Sequence, residues 1–414
     1  MINSPLLTTT QPLNIRASLR ILGASDLLFI TGLVGILQGV NELALGFSLF
    51  VFATNFRRLR LPKSIVVLLG IILIAGIIRS MFFIMSQSTL VDTEIWLIII
   101  RIRFYVIQII FAFSASIYFQ SKNYRQLMAM LLTLAAVGTL FGLAQIGFNI
   151  FVEHTLPRLS MFSSEPSSAA MLYAFLTPLL VLGKREKVIK SYFTPLFVII
   201  GTLILSKALI IIFVFWFIIW LIKGKKYDRK YLLLLVIPII LSPLLVKLKP
   251  VQDIIKYFTV LAEFGIYGLN SSNAIWTSFT MRTSGAIFAL IFFWETPIGI
   301  GFGTFHLKYF GAMSTAWIAA NFDGFEIENI LQGVGYATPK ATFLELLVSC
   351  GIFFLIPMII ILVKYLQKNI SIYLKVSFVS LIIVSMMVEI APFLTYLSLL
   401  IVIGNKYPGD KYVE

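Results

Sequence analysis

The sequence predicts an all-α fold, a polytopic bundle of transmembrane helices that forms a single integral membrane domain over residues 1–414. Two observations predict this class. The 414 residues are 59% hydrophobic and 12% charged, and the mean hydropathy of +0.97 lies outside the range of soluble globular domains. Apolar runs of helix length also recur along the whole chain, with basic loops between them.

The apolar runs correspond to about twelve spans. They lie at about 21–37, 39–56, 64–85, 95–119, 127–148, 166–183, 191–222, 231–247, 341–363, 375–388 and 391–404. The run at 191–222 is too long for one ordinary span and Ser206-Lys207 interrupts it, so we expect two short helices there. The polar N-terminus shows no small-residue cleavage site, so we expect no removable signal peptide.

The charge distribution predicts how the bundle is oriented. The net charge is +15, but the basic residues cluster in alternate loops instead of forming one stripe. This is the positive-inside pattern of a membrane protein, and it argues against nucleic acid as a partner. Both termini are predicted to be cytoplasmic, and the segment 248–340, between the ninth and tenth spans, is predicted to lie on the outer side.

Several cations are not needed for orientation. Arg101 and Arg103 lie inside the run that begins near Ile95, roughly 9–12 Å below the surface at about 1.5 Å per residue. An arginine at the centre of a helix costs on the order of 2.5–3.5 kcal/mol to insert, so a partner has to offset it. Their spacing places them on different faces, so we expect one functional and one snorkelling arginine, with Arg101 on the face of Gln108.

Two interpretations of these arginines stay open. Arg79, in the outer third of its helix, is predicted to contribute to the same polar cavity as Arg101. Arginine presents a planar fork of donors that matches phosphate oxygens, so the group favours an anionic ligand at the outer boundary of the membrane. The alternative is a set of structural ion pairs. The candidate partners for such pairs are Asp92, Glu94, Glu153 and Glu165.

A second stretch combines a cation, a carboxylate and a helix start. Arg158 and Glu165 precede Pro166, which suits the first turn of a helix because it has no backbone N–H to leave unpaired. The free N–H groups of a helix start suit a phosphate and also keep Glu165 ionised. The alternative is that Ser163-Ser164-Glu165-Pro166 is only a helix cap.

The outer segment and the span after it hold further candidates. Arg282 precedes the apolar stretch 286–294, which is too short to span a bilayer and is predicted to be interfacial or in-folded. Glycines at 299, 301 and 303 indicate only a tight backbone, since no strand-helix-strand context surrounds them. Glu345, at the head of a late span, is an intramembrane carboxylate and hence a functional candidate, or else the partner of Lys340 or an arginine.

Other catalytic signatures are absent from the sequence. His154 and His306 are too few and too scattered for a metal site. Neither a Walker loop nor a Gly-x-Ser-x-Gly elbow occurs. We therefore expect neither a metal nor another cofactor.

Five short motifs follow one another along the chain. They are Arg158 with Phe162-Ser-Ser-Glu165-Pro166-Ser after the fifth span, Ser206-Lys207 between two short helices, Arg282 in the outer segment, the Pro297-x-Gly-x-Gly-Phe-Gly turn, and Phe343-Leu-Glu-Leu-Leu with Gly351 at the next span. This order resembles the O-antigen polymerase (Wzy) and O-antigen ligase superfamily of bacterial envelope glycosyltransferases. The resemblance covers most of the chain as architecture, and the order of the motifs is more specific than any one of them.

The resemblance implies an enzyme of the bacterial inner membrane that acts on undecaprenyl-pyrophosphate-linked glycans at the periplasmic face. A growing glycan would move from undecaprenyl pyrophosphate onto the non-reducing end of a lipid-linked repeat unit, with inversion at the anomeric carbon and without a metal. Besides the lipid bilayer, the implied partner is a chain-length-regulating co-polymerase of the Wzz type.

The resemblance also implies roles for individual residues. Arg158 and Arg282 would bind the pyrophosphate and stabilise its growing charge. Further cations predicted for this role are Arg101, Arg79 and Lys207. A carboxylate, Glu165 first and Glu345 second, would take the proton of the acceptor hydroxyl.

One departure favours the polymerase branch. Ligases of this superfamily carry a histidine just before the Phe-Leu pair that opens the span after the outer segment, and here Lys340-Ala-Thr342 stands in its place. A glycan ligase that transfers finished chains to a lipid core or a protein stays an alternative. A transporter of lipid-linked glycans without chemistry is the third, because buried arginines also suit an anion path.

Overall fold

The described part of the chain is all-helical, as the sequence predicts. The computed structural model describes residues 13–38, 40–55, 62–87, 90–148, 166–189, 193–202, 204, 207–223, 259, 277–313, 337–389 and 392–406. Within these residues the regular secondary structure is α-helix, and the extended contacts amount to one isolated bridge between Leu13 and Ile189.

The described residues contain fifteen helices. In chain order they are α1 (Ile15–Ile21), α2 (Ala24–Leu37), α3 (Asn41–Asn55), α4 (Lys63–Ser86), α5 (Asp92–Ser121), α6 (Tyr124–Phe148), α7 (Pro166–Arg185), α8 (Phe193–Thr202), α9 (Lys207–Lys223), α10 (Thr277–Glu295), α11 (Phe305–Met313), α12 (Thr342–Cys350), α13 (Ile352–Gln367), α14 (Ile372–Ser385) and α15 (Phe393–Lys406). The predicted helix start at Pro166 and the predicted division before Lys207 both occur.

The helices have the apolar character of a membrane-embedded protein. Among the described residues, α4, α5 and α6 are long and apolar enough to cross a membrane, and α1 with α2, bent by 109°, make a fourth if they are one broken span. Several shorter apolar helices accompany them. The count of about twelve spans and the outer location of 248–340 stay predictions, and the expected span at 231–247 lies outside the described residues.

Helix α5 is central to the packing. It has 30 residues and therefore a length of about 45 Å, and its first turn is capped where Val91 N donates to Glu94 Oε2 at 3.1 Å. It packs against α3, α4 and α15, while α14 packs against α7, α9 and α15. Buried small residues on α5, among them Ala112, Ala115 and Ser116, allow the neighbouring helices to approach closely.

The predicted span at 341–363 is divided into α12 and α13 by Gly351. This glycine has φ +60°, and an added Cβ would lie 2.0 Å from the carbonyl oxygen of Pro297. The break frees backbone groups in apolar surroundings, where an unpaired group is costly. The turn that follows α10 satisfies them. Its bonds are Ile300 N to Val348 O at 2.9 Å, Gly301 N to Ser349 O at 2.9 Å, and Ile352 N to Pro297 O at 2.8 Å.

That turn, residues 297–303, is wedged between α4, α5 and α12. Its three glycines have φ values of +91°, +102° and +78°, which other residues rarely adopt. Phe302 is fully buried between them and stacks on Tyr105 of α5 with ring centroids 4.4 Å apart. The tight backbone predicted from the glycines is therefore present, and it ties three helices together.

Helix α10 differs from its prediction. It covers Thr277–Glu295 instead of 286–294, so Arg282 lies in its second turn and not before its start. The sequence underestimates its length because its first turns are polar. The helix packs against α12, and Phe288 and Phe292 join Phe305 and Tyr309 of α11 in a small core of their own.

We expect Gly301→Ala to destabilise the protein by about 2–4 kcal/mol, because it combines backbone strain with overpacking. An added Cβ would lie 2.4 Å from the backbone nitrogen of Ser80. The matched control is Gly70→Ala in α4, where nothing lies within 4 Å of the added atom. Thermal unfolding of both variants in detergent, followed with size-exclusion profiles, measures the difference. Equal unfolding temperatures would show that the turn is not wedged between the helices.

Candidate functional site

A buried arginine joins two carboxylates from distant parts of the chain. Arg101 of α5 donates from Nε to Glu345 Oε1 and from Nη2 to Glu345 Oε2, each at 2.7 Å. The same Nη2 lies 2.5 Å from Oε1 of Glu389, which follows α14. Three elements therefore meet at one guanidinium group.

The cluster is largely removed from solvent. The side chains of Arg101, Glu345 and Glu389 are 15%, 5% and 31% exposed. The Arg101 guanidinium also lies over the rings of Phe104 and Tyr105, 4.8 and 5.6 Å from their centroids. Two carboxylates face one guanidinium, so these three side chains carry a formal charge of −1. Lys340 also acts on Glu389, from outside this group.

Local structure at the start of α12 positions both carboxylates. Glu345 lies in the first turn of α12, where the partial positive charge of a helix start favours a carboxylate. Thr342 N donates to Val388 O at 3.0 Å, which ties the start of α12 to the residue before Glu389. Thr338 Oγ1 donates to the second oxygen of Glu389 at 2.7 Å. Both oxygens of Glu389 are thus hydrogen-bonded.

The segment that carries Thr338 is itself held by α11. The backbone N of Ala337 donates to Nδ1 of His306 at 2.9 Å. Burial lowers the pKa of His306, although the charge of Glu94 acts in the opposite direction. A neutral imidazole is the form that can accept this hydrogen bond. His306 therefore acts as a structural acceptor in this segment.

A small cavity of about 10 Å³, enough for roughly one water molecule, lies beside the cluster. It is lined by Arg101, Phe104, Tyr105, Gln108, Thr342, Glu345, Glu389 and Leu394. Gln108 is 1% exposed, and among the described residues neither atom of its carboxamide has a hydrogen-bond partner. The cavity thus combines ionised groups, aromatic rings and an unpaired amide.

The two arginines of α5 lie in different surroundings. Arg101 and Gln108 line the same cavity, as expected from a spacing that places them on one face. Arg103 points elsewhere and forms a surface pair with Glu42 at 3.2 Å, with both side chains about two-thirds exposed. Of the two partners predicted for Glu345, the arginine is the one observed.

Of two other predicted cations, Arg282 lies close to the cluster and Arg79 lies beside the turn at 297–303. Arg282 Nη1 donates to Met387 O at 3.4 Å, two residues before Glu389. Arg79 is not among the cavity-lining residues; its Nε donates to Gly299 O at 2.7 Å and so supports the turn at 297–303. The roles of both arginines in binding a pyrophosphate stay predictions.

The remaining predicted residues are not placed by the structure. Arg158 and Glu165 lie outside the described residues, and Lys207 is described only as the first residue of α9. Sequence reasoning also missed Glu389 and Thr338. The signal for Glu389 was a lone carboxylate between two apolar runs, which is weaker than the signal for Glu345 at the head of a span.

Across the described ranges, no group of three His, Cys, Asp or Glu side chains is arranged to hold a metal ion. The arrangement that is present can hold carboxylates in fixed positions, and it favours the ionised form of Glu389. Burial of Glu389 would raise its pKa, but the Arg101 guanidinium and the hydrogen bond from Thr338 outweigh burial, so its pKa is lowered. An ionised, fixed carboxylate is able to accept a hydrogen bond from a hydroxyl group.

We expect Arg101→Ala to destabilise the protein by about 3–5 kcal/mol, because it leaves the buried Glu345 and the partly buried Glu389 without their counter-charge. The matched control is Arg103→Ala on the same helix, whose pair with Glu42 is about two-thirds exposed and lies outside the cluster, so its loss should be smaller. Chemical denaturation in detergent measures both changes. Similar losses in the two variants would contradict the buried cluster.

Stability is also expected to depend on pH through Glu389. Its pKa is lowered in the folded protein, so its contribution is complete above the ordinary value of 4.5 and is lost as the pH falls through the lower folded value. Unfolding temperatures between about pH 6 and about pH 3 should fall less steeply in Glu389→Gln than in the unchanged protein. Parallel pH profiles would show that Glu389 is not paired.

Comparison with known proteins identifies no relative of this chain. No protein-family model, no curated protein and no solved structure matches the chain.

Proposed function

We propose that this protein is a polymerase of O-antigen or another surface polysaccharide. It would be an inverting, metal-independent glycosyltransferase at the periplasmic face of the bacterial inner membrane. It would move a growing glycan from undecaprenyl pyrophosphate onto the non-reducing end of a lipid-linked repeat unit. The resemblance of its ordered motifs to the polymerase and ligase superfamily gives this reaction class, and the site supports it.

The observation that carries the proposal is the pair of carboxylates held by one buried arginine beside a cavity. Ionised groups inside an apolar bundle are expensive, and their presence points to a functional site. A structural ion pair would need one carboxylate for Arg101, and the cluster has two. The second leaves an excess negative charge, which favours taking up a proton. That is the property required of a general base.

The proposed reaction is a single displacement. The acceptor hydroxyl gives its proton to a carboxylate, for which Glu345 is the candidate in the cavity and Glu165 the alternative. The acceptor oxygen forms a bond to the anomeric carbon of the donor as the bond from that carbon to the pyrophosphate oxygen breaks. The electron pair of the broken bond leaves with undecaprenyl pyrophosphate, and the configuration at the anomeric carbon inverts.

The arginines would have separate tasks. Arg101 uses Nε and Nη2 to hold carboxylates, so its contacts favour a positioning role over direct binding of an anion. Arg282, next to the same segment at Met387, would bind the leaving pyrophosphate together with Arg158. A guanidinium group matches phosphate oxygens in geometry and stabilises the charge that develops on them.

We expect Arg282→Ala and Glu345→Gln to abolish long surface glycans while the protein stays in the membrane. Loss of a general base typically costs about 10²–10⁴-fold in rate, and loss of one charge-stabilising donor about 10²–10³-fold. Glycan banding on gels, with membrane levels of each variant by immunoblot, measures this. Arg103→Ala is the control and should keep the full ladder. Normal ladders in both site variants would rule out the assigned roles.

Glycan banding also separates a polymerase from a ligase, and an assay with purified protein separates both from a transporter. A deletion strain of a polymerase should show single repeat units, whereas loss of a ligase would leave long chains on the lipid carrier. Purified protein with lipid-linked repeat units should give chain extension. A transporter would give none.

A further inference from the structure

We propose that the small cavity beside Arg101 binds one buried water molecule, which links the carboxamide of Gln108 to the carboxylate of Glu345. The site follows from the packing and hydrogen bonding of the described residues, so it is independent of the proposed reaction. It gives a role to Gln108, for which the sequence indicates only a face shared with Arg101.

Gln108 is a buried amide without a protein partner in the described part of the chain. It is 1% exposed, and neither its Nε2 nor its Oε1 has a hydrogen-bond partner among the described residues. Buried polar side chains nearly always bond to protein or to an ordered water, because an unpaired group loses its hydration without compensation. Two unpaired atoms on one buried side chain therefore indicate a bound ligand.

The size of the cavity selects that ligand. Its volume of about 10 Å³ is close to the smallest space that holds one water molecule. A sugar, a phosphate group or a lipid headgroup does not fit. A buried water also needs polar partners, and cavities that stay empty have apolar walls. Here the lining contains the amide of Gln108 and the carboxylates of Glu345 and Glu389, so the partners are present.

The hydrogen-bonding capacity of the carboxamide also favours water over an ion. Nε2 of Gln108 is a donor and Oε1 is an acceptor. A cation would engage Oε1 alone and would lie near the guanidinium of Arg101, which lines the same cavity. An anion would engage Nε2 alone and would meet two carboxylates. A water both donates and accepts, so it can bond to whichever atom of the amide faces the cavity.

Glu345 has capacity left for a hydrogen bond from this water. Arg101 donates once to each of its two oxygens, and an ionised carboxylate offers about four acceptor positions. The side chain of Glu345 is only 5% exposed, so bulk solvent reaches little of it. A water that bonds to Gln108 and donates to Glu345 therefore serves two buried groups at once.

Such a water would support the cluster from a second place on α5. Gln108 lies seven residues after Arg101, which is about 10 Å along the helix and nearly on the same face. The ion pair of Arg101 with Glu345 joins α5 to α12 directly, and the water would add a second link between the same helices. Gln108 is then a support of Glu345 and not a contact for a substrate.

The sign of a stability change tests the site. Gln108→Leu in the full-length protein removes both amide atoms at similar size. We expect its unfolding temperature in detergent to fall by about 2–4 °C, because the water loses a partner and Glu345 loses a donor. An amide without a water would give the opposite result, since leucine would relieve an unpaired group. An equal or higher unfolding temperature would therefore overturn the inference.

The matched control is Thr133→Val in α6. Thr133 is also buried without a hydrogen-bond partner among the described residues, but it lies outside the cavity lining. Its unfolding temperature should not fall. An equal fall in both variants would contradict a water site specific to Gln108.

A second measurement detects the water in the unchanged protein. Hydroxyl radicals that X-rays generate from a bound water label the side chains next to it. Tyr105 lines the cavity and is 3% exposed, whereas Tyr173 is fully buried outside the lining. We expect radical labelling of Tyr105 above that of Tyr173, and its loss in Gln108→Leu. Equal labelling of the two tyrosines in the unchanged protein would show that the cavity holds no water.

Replacement of sodium by the larger N-methylglucamine cation excludes an ion as the occupant. The unfolding temperature of the unchanged protein should stay the same at constant ionic strength, because a water site does not depend on the cation. A fall that sodium reverses, and that is missing in Gln108→Leu, would identify a bound cation and overturn the inference. None of these readouts depends on glycan extension, so the proposed function is tested separately.

Discussion

The contact between Arg101 and the carboxylates of Glu345 and Glu389 is the interaction on which the rest of the described structure depends. It joins the first third of α5 to the start of α12 and to the segment after α14. In apolar surroundings each of these charges would be costly alone, so the three elements are stable together only in this arrangement. Such a cluster contributes little net stability, but it holds its side chains in defined positions. It fixes two carboxylates at the edge of one cavity.

The glycine turn at 297–303 packs against the helices that carry this cluster. Glu345 lies in the first turn of α12, and at the other end of that helix the break at Gly351 exposes carbonyls that the turn satisfies. Phe302 of the turn stacks on Tyr105, which lines the cavity beside Arg101. The backbone of the turn and the side chains of the cavity are therefore parts of one packed unit. A pattern that indicates only a tight backbone in the sequence proves to support the candidate site.

The sequence predicted the features that depend on local chemistry. Apolar runs gave the all-α class, Pro166 gave the start of α7, and the spacing of Arg101 and Gln108 gave their common face. It missed features that depend on contacts between distant segments. Gly351 divides an apolar run whose hydropathy continues without interruption. The sequence gives no sign of this break, because it goes with the close approach of Pro297, which is distant in the chain. Glu389 looked like any other loop carboxylate until packing brought it to Arg101.

The distribution of charge around the cavity bears on mechanism more than the number of arginines does. Counting cations in the sequence suggests a site for anions, with Arg158 and Arg282 in the leading roles and Arg101 among the further cations. In the structure Arg101 faces two carboxylates, while Arg282 donates to Met387 O, two residues before Glu389. The proposed displacement reaction needs its negative and positive groups in separate places. The base has to stay negative to take a proton, and the leaving pyrophosphate has to meet positive charge, so the two functions cannot share one uniformly basic pocket.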